Sequence, residues 1–150
     1  MHPYIIIFSL PVFIHLINYL SKKNKNENIL IFIIFLLFLF SAFRGDVGGD
    51  HKLYVLRFFE KDFNISNLFQ SREFIYYQFT WVIKMIFNNF IYFKIFSSIL
   101  FFVPLYIFLR KTNSNLIGLI IILPFGIFLL HFGYIKQSIA FAITLLLFLS

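Results

Sequence analysis

Six apolar runs, almost free of charge, divide the sequence at residues 4–20, 29–43, 74–92, 95–109, 116–132 and 135–150. Crossing the hydrocarbon core of a bilayer takes about 20 helical residues, and about 17 suffice. Inside lipid every backbone amide and carbonyl must find a partner within the protein, which leaves helices or a closed barrel. Continuous apolar runs lack the alternation of a barrel strand. The expected fold is therefore all-α, a polytopic transmembrane bundle of about six helices. Residues 1–150 form a single transmembrane domain with one long extracytoplasmic loop at 44–73. Composition agrees: 61% of residues are hydrophobic and only 13% are charged, against about 25% charged in soluble domains. A soluble globule would leave many of its 25 Phe exposed to water.

The net charge of +7 invites a nucleic-acid reading, but the cations are spread over the links between runs. No basic face is interleaved with aromatics, so no nucleic-acid partner is expected. The absence of cysteine removes disulfides, thiolate metal sites and thiol catalysis. Lys22, Lys23 and Lys25 follow the first run and no basic side chain precedes it, so the positive-inside rule puts residues 21–28 in the cytoplasm. Residues 44–73 then lie outside, residues 88–94 return inside, and Arg110 with Lys111 falls outside, against the rule. The run at 74–92 carries Lys84, Asn88 and Asn89, which are costly against lipid. It faces protein or lies partly in the interface. The last run is still strongly apolar where the sequence stops.

Chemistry gathers in two places. The first is Arg44-Gly45-Asp46-Val47-Gly48-Gly49-Asp50-His51-Lys52-Leu53-Tyr54, where the second run meets water. Glycines permit tight turns there, and an arginine beside two carboxylates and a tyrosine can bind a phosphate and orient a hydroxyl. The same residues can equally form a solvated helix end with a local ion pair worth about 0–1 kcal/mol. The spacing fits neither a nucleotide loop nor a calcium loop, and the four histidines show no ligand spacing. No metal and no cofactor are expected. Just downstream, residues 53–59 suit an interfacial or re-entrant helix, or an exposed connector.

The second place is the last run, where Gly133, Gln137, Ala140 and Thr144 share one helical face. Small and polar residues on one stripe predict a face turned inward. Lys136 lies on its edge, either directed along a protein-lined cleft or snorkelling to the interface.

Taken together, the two constellations resemble the EpsG family of exopolysaccharide proteins, related to the Wzy-type polymerases of capsule and O-antigen repeats. Arg44, Val47-Gly48, Asp50 and Tyr54 resemble the family's motif at the end of an early helix. Glu73 followed by Phe74 resembles the glutamate that opens its next helix. Ile135, Lys136, Gln137 and Ala140 are similar to its isoleucine-arginine-glutamine and alanine, with lysine where arginine is usual. The resemblance covers the amino-terminal part of longer family members, so a truncated portion of a larger membrane protein is expected.

The resemblance implies a multi-pass protein of the bacterial cytoplasmic (inner) membrane. It implies glycosyl transfer at the outer face, joining repeat units carried on polyprenyl pyrophosphate. Its partners would be that lipid-linked oligosaccharide, the bilayer and other polysaccharide-assembly membrane proteins. Arg44 and Asp50 would be catalytic, with Asp50 as base or orienter of the acceptor hydroxyl. Arg44 and Lys136 would meet the charge of the leaving pyrophosphate, and Tyr54, Gln137 and Glu73 would contact substrate. A polysaccharide or lipid transporter is the alternative, for which broken helices and a repeated half are the expected signs. A non-catalytic subunit or remnant is the other. Orientation is testable with single cysteines in this cysteine-free chain: Asn64→Cys should label with an impermeant maleimide on intact cells and Asn24→Cys should not. Labelling of position 24 from outside would overturn the topology.

Overall fold

The computed structural model describes residues 9, 11–14, 16, 27–45, 50–59, 74–112, 115–131 and 134–149, with the backbone alone at 27, 74, 115 and 128–131. Every regular element among the described residues is helical, as the apolar runs require. In chain order these are α1 Glu27–Phe43, α2 His51–Phe59, α3 Phe74–Phe87, α4 Phe90–Lys111, α5 Asn115–Ile122 and α6 Ile135–Leu147. A π-helical segment, Leu123–His131, continues α5. Among the described residues one helix, the 22-residue α4, is long and apolar enough to cross a membrane, extending about 33 Å. Residues 28–43, 116–127 and 135–147 are apolar but shorter. Most of the first apolar run, the lysine-rich link at 21–26, and residues 46–49 and 60–73 lie outside the described residues.

Two asparagines decide where α3 stops and α4 begins. Asn88 has φ 45°, the left-handed conformation that asparagine tolerates better than most residues. Its amide bonds back to the Lys84 carbonyl at 2.9 Å, closing the last turn of α3. Asn89 is extended, and its side chain accepts a 2.9 Å bond from the Ile91 amide, an N-cap. The expected runs 74–92 and 95–109 therefore divide earlier than anticipated. Residues 90–94 are the first turns of a helix, not a loop.

α1 and α4 pack antiparallel. Lys94 Nζ donates to the Arg44 carbonyl at 2.8 Å, the Ser41 and Ser98 hydroxyls are 2.9 Å apart, and Phe38 meets Phe102 edge-on at 6.5 Å. As numbers fall along α1 they rise along α4. The expected topology, with Arg44 outside and Lys94 inside, is thereby corrected, because the two residues are in direct contact. The carboxyl end of α1 and the amino end of α4 share one end of the helix body. Arg110 and Lys111, in the last turn of α4, lie at the other.

The main core fills the space between α1, α4, α5 with its π-helical extension, and α6. Leu30, Ile33, Leu37, Phe101, Leu105, Leu109, Leu119, Leu123, Ile127 and Ala142 are all buried there. Gly126 matters to this packing. A Cβ at that position would stand 2.7 Å from Ile122 Cγ2 and 3.2 Å from Phe141 Cε1, so the missing side chain lets α6 bring its Phe141 ring onto the π-helical segment. Outward faces remain apolar, with Phe43 65% and Ile121 71% exposed, and apolar surface of this kind marks a face that meets protein or membrane. The buried hydrogen bond from Ser41 to Ser98 ties the two helices together and contributes about 0.5–1.5 kcal/mol. The pairing makes a direct prediction: Ser41→Cys with Ser98→Cys should form an intramolecular disulfide on mild oxidation, read as a gel shift reversed by reductant. No crosslink would contradict the α1–α4 register.

Candidate functional site

The polar end of the α1–α4 pair is built around the first two turns of α4. Phe90 and Phe93 project from it into a second core, with Tyr54 and Phe58 of α2, Ile83 of α3 and Ile135 of α6. Phe93 touches Tyr54, Phe58, Tyr76 and Phe79, with ring centroids 5.7–6.4 Å apart. These are the separations at which aromatic pairs attract. His51 sets its ring edge-on to Phe90 at 5.5 Å and is buried. The segment expected as a polar loop thus holds a helix, α2, whose buried stripe His51, Tyr54 and Phe58 repeats at three and four residues. Of the alternatives for residues 53–59, a helix is what forms.

Asp50 opens α2. Its carbonyl accepts the Tyr54 amide at 3.0 Å, and its side chain is half-buried. Tyr54 is 4% exposed and lies against Tyr76 at 5.9 Å. Tyr76 in turn carries the Lys136 ammonium 4.8 Å above its ring centre, a cation–π contact worth about 0.5–2 kcal/mol. Lys136 is half-buried, its ammonium set against protein at the Tyr76 ring. Arg44, just past the end of α1, is 7% exposed. A guanidinium withdrawn from water to that extent must be met by carbonyls or anions, because desolvating an ion costs several kcal/mol.

Three cations, Arg44, Lys94 and Lys136, therefore come to the amino end of α4. Tyr54 and Asp50 join them there on α2. Glu73 lies outside the described residues, as do Gly133 and the intervening Asp46, Val47, Gly48 and Gly49. Gln137 is exposed. The stripe expected to turn inward on the last run does not: Gln137, Ala140 and Thr144 are exposed, while Ile135, Ser138, Ala142 and Leu145 are buried. The apolar Ile135 and Leu145 set the interior face. Ser138 and Ala142, one turn apart between them, are the small residues that admit a close neighbour. Ser138 disposes of its hydroxyl on the Ile135 carbonyl at 2.7 Å, and Thr144 bonds the Ala140 carbonyl at 2.9 Å, so neither polar side chain needs a partner helix.

Sequence reasoning missed Lys94, assigned to a loop, and Tyr76, passed over as one aromatic among many. The signal for Lys94 was available in the adjacent asparagines, a stop followed by a cap. Cations that converge with a carboxylate and a tyrosine at one end of a helix body can hold a multiply charged anion and orient a hydroxyl next to it.

Comparison with known proteins supplies one match. No curated protein and no solved structure matches the chain. The sequence model of the EpsG family matches residues 28–150, which include α1 from its second residue, α2 to α6 and every candidate site residue. The chain belongs to the EpsG family.

Proposed function

We propose that this protein joins polyprenyl-pyrophosphate-linked oligosaccharide repeats by glycosyl transfer at the outer face of a bacterial cytoplasmic membrane. Family membership supports a setting in polysaccharide assembly. The observation that carries the finer reading is the gathering of Arg44, Lys94 and Lys136 beside Asp50 and Tyr54 at one end of the helix body. In the proposed reaction the anomeric carbon–oxygen bond to the lipid pyrophosphate breaks as the acceptor hydroxyl forms the new glycosidic bond. The leaving pyrophosphate takes up negative charge, and cations already in place stabilise it without reorganising. Asp50 removes or orients the proton of the acceptor hydroxyl, which contributes about 10²- to 10⁴-fold in comparable sites. Tyr54 holds sugar or phosphate, and Gln137 and Glu73 serve as further substrate contacts.

The proposed orientation crosses the membrane several times within one transmembrane unit. α1 leaves the cytoplasmic lysine link and ends outside at Arg44, and α4, antiparallel to it, returns Arg110 and Lys111 to the cytoplasm. The positive-inside rule is then obeyed by both basic clusters, which supports this arrangement over one with residues 88–94 inside. In the complete gene context, Arg44→Ala and Asp50→Asn should each reduce polymer by about 10²-fold or more. Both variant proteins should still reach the membrane in normal amount. Polymer of normal length and yield from both variants would overturn the catalytic assignment.

A further inference from the structure

Lys94 stands where a cation is disfavoured. It occupies the second turn of α4, near the end whose free amides form the positive pole of the helix. Its surroundings are not those of a solvated surface: Phe93, Ser97, Ser98 and Phe101 on the same stretch are buried, and Lys94 itself is half-buried. What draws the ammonium inward is the Arg44 carbonyl, 2.8 Å away and 50 positions earlier in the chain. That carbonyl follows the last residue of α1, at the negative pole of that helix. α1 has no basic residue in its own last turn, so the favourable charge at its carboxyl end is supplied by another helix. About one turn below, the Ser41–Ser98 hydrogen bond holds the same two helices together. The backbone that bears the Arg44 side chain is thus fastened to α4 at two levels. A Cβ added at Gly45, the next residue, would meet nothing within 4 Å among the described residues.

We propose that Lys94 is a positioning residue for Arg44. It fixes the end of α1 so that the guanidinium is presented to the anionic group of the substrate. The inference rests on Arg44 being a cation of the proposed transfer site, and it adds that the placement of this cation depends on a hydrogen bond from α4. Lysine suits the task because a long flexible stem with a rotatable donor reaches a carbonyl across a helix interface. Arginine at position 94 retains a donor of similar reach, whereas methionine fills similar volume with none.

The test uses Lys94→Met and Lys94→Arg, each alone and combined with Arg44→Ala, in the complete membrane protein. Two quantities are read: polymer formed per inserted molecule in cells, and affinity of the purified protein for farnesyl pyrophosphate as the probe. Lys94→Met should lower both by roughly tenfold, the scale of one lost charged hydrogen bond. Lys94→Arg should remain within about threefold of the parent, and Lys94→Met should add nothing once Arg44 is alanine, since residues acting through one another are not additive. Three results would overturn the proposal: parental behaviour of Lys94→Met, a loss in Lys94→Arg as large as in Lys94→Met, or losses that multiply in the double variant. If Lys94→Met does not accumulate in the membrane, Lys94→Arg decides alone, and a loss beyond threefold rejects the positioning role. Parental activity of Arg44→Ala would instead remove the transfer-site reading on which the inference stands.

Discussion

The antiparallel seam between α1 and α4 sets the geometry of everything else. It is made of apolar packing along most of its length, with one buried hydroxyl pair at Ser41 and Ser98 and one charged bond from Lys94 to the Arg44 carbonyl. Both polar contacts lie toward the same end. Because α4 is also the longest helix among the described residues, the seam decides which charged residues can meet: those at the close of α1, the opening of α4 and whatever packs on Phe90 and Phe93. α2, α3 and α6 all send side chains to that point. The basic residues at the far end of α4 are kept about 25–30 Å away by the length of the helix.

The site has two materials with different work to do. Aromatic rings from α2, α3 and α4 form a packed plug in which Tyr54 is buried and against which His51 sets its ring. The cations sit at its margin, Arg44 and Lys94 on the α1 side and Lys136 over Tyr76 on the α6 side. Fixed charges bordering an apolar mass act in a lower effective dielectric than water, where their pull on a phosphate is stronger. That combination suits a leaving group that is both lipid-linked and multiply charged.

Much of the helical layout was legible because lipid-length apolar runs admit few structures. The run at 29–43 became α1 within two residues, and the helix expected as one alternative at 53–59 became α2. The errors have definite causes. Asn88 and Asn89 were weighed as polar costs inside a span, when their conformations make them a helix stop and a cap. The face of α6 was judged from small and polar residues alone, although Ile135 and Leu145 compete for the interior and prevail. At the site, Arg44, Asp50, Tyr54 and Lys136 stood out by motif. Lys94 and Tyr76 did not: the stop and cap at Asn88 and Asn89 mark Lys94 as helical, but the significance of both residues lies in tertiary contacts across 50 and 60 positions.

The claim on which the account turns is that α4 runs back across the membrane alongside α1, carrying Arg110 and Lys111 to the cytoplasmic side. The most direct measurement places single cysteines at Thr112 and Gly45 and compares impermeant maleimide labelling of intact and permeabilised cells. Gly45→Cys should react in intact cells, and Thr112→Cys only after permeabilisation. Reaction of both positions in intact cells would mean that the two helix ends share a face of the membrane, and the proposed architecture would be wrong.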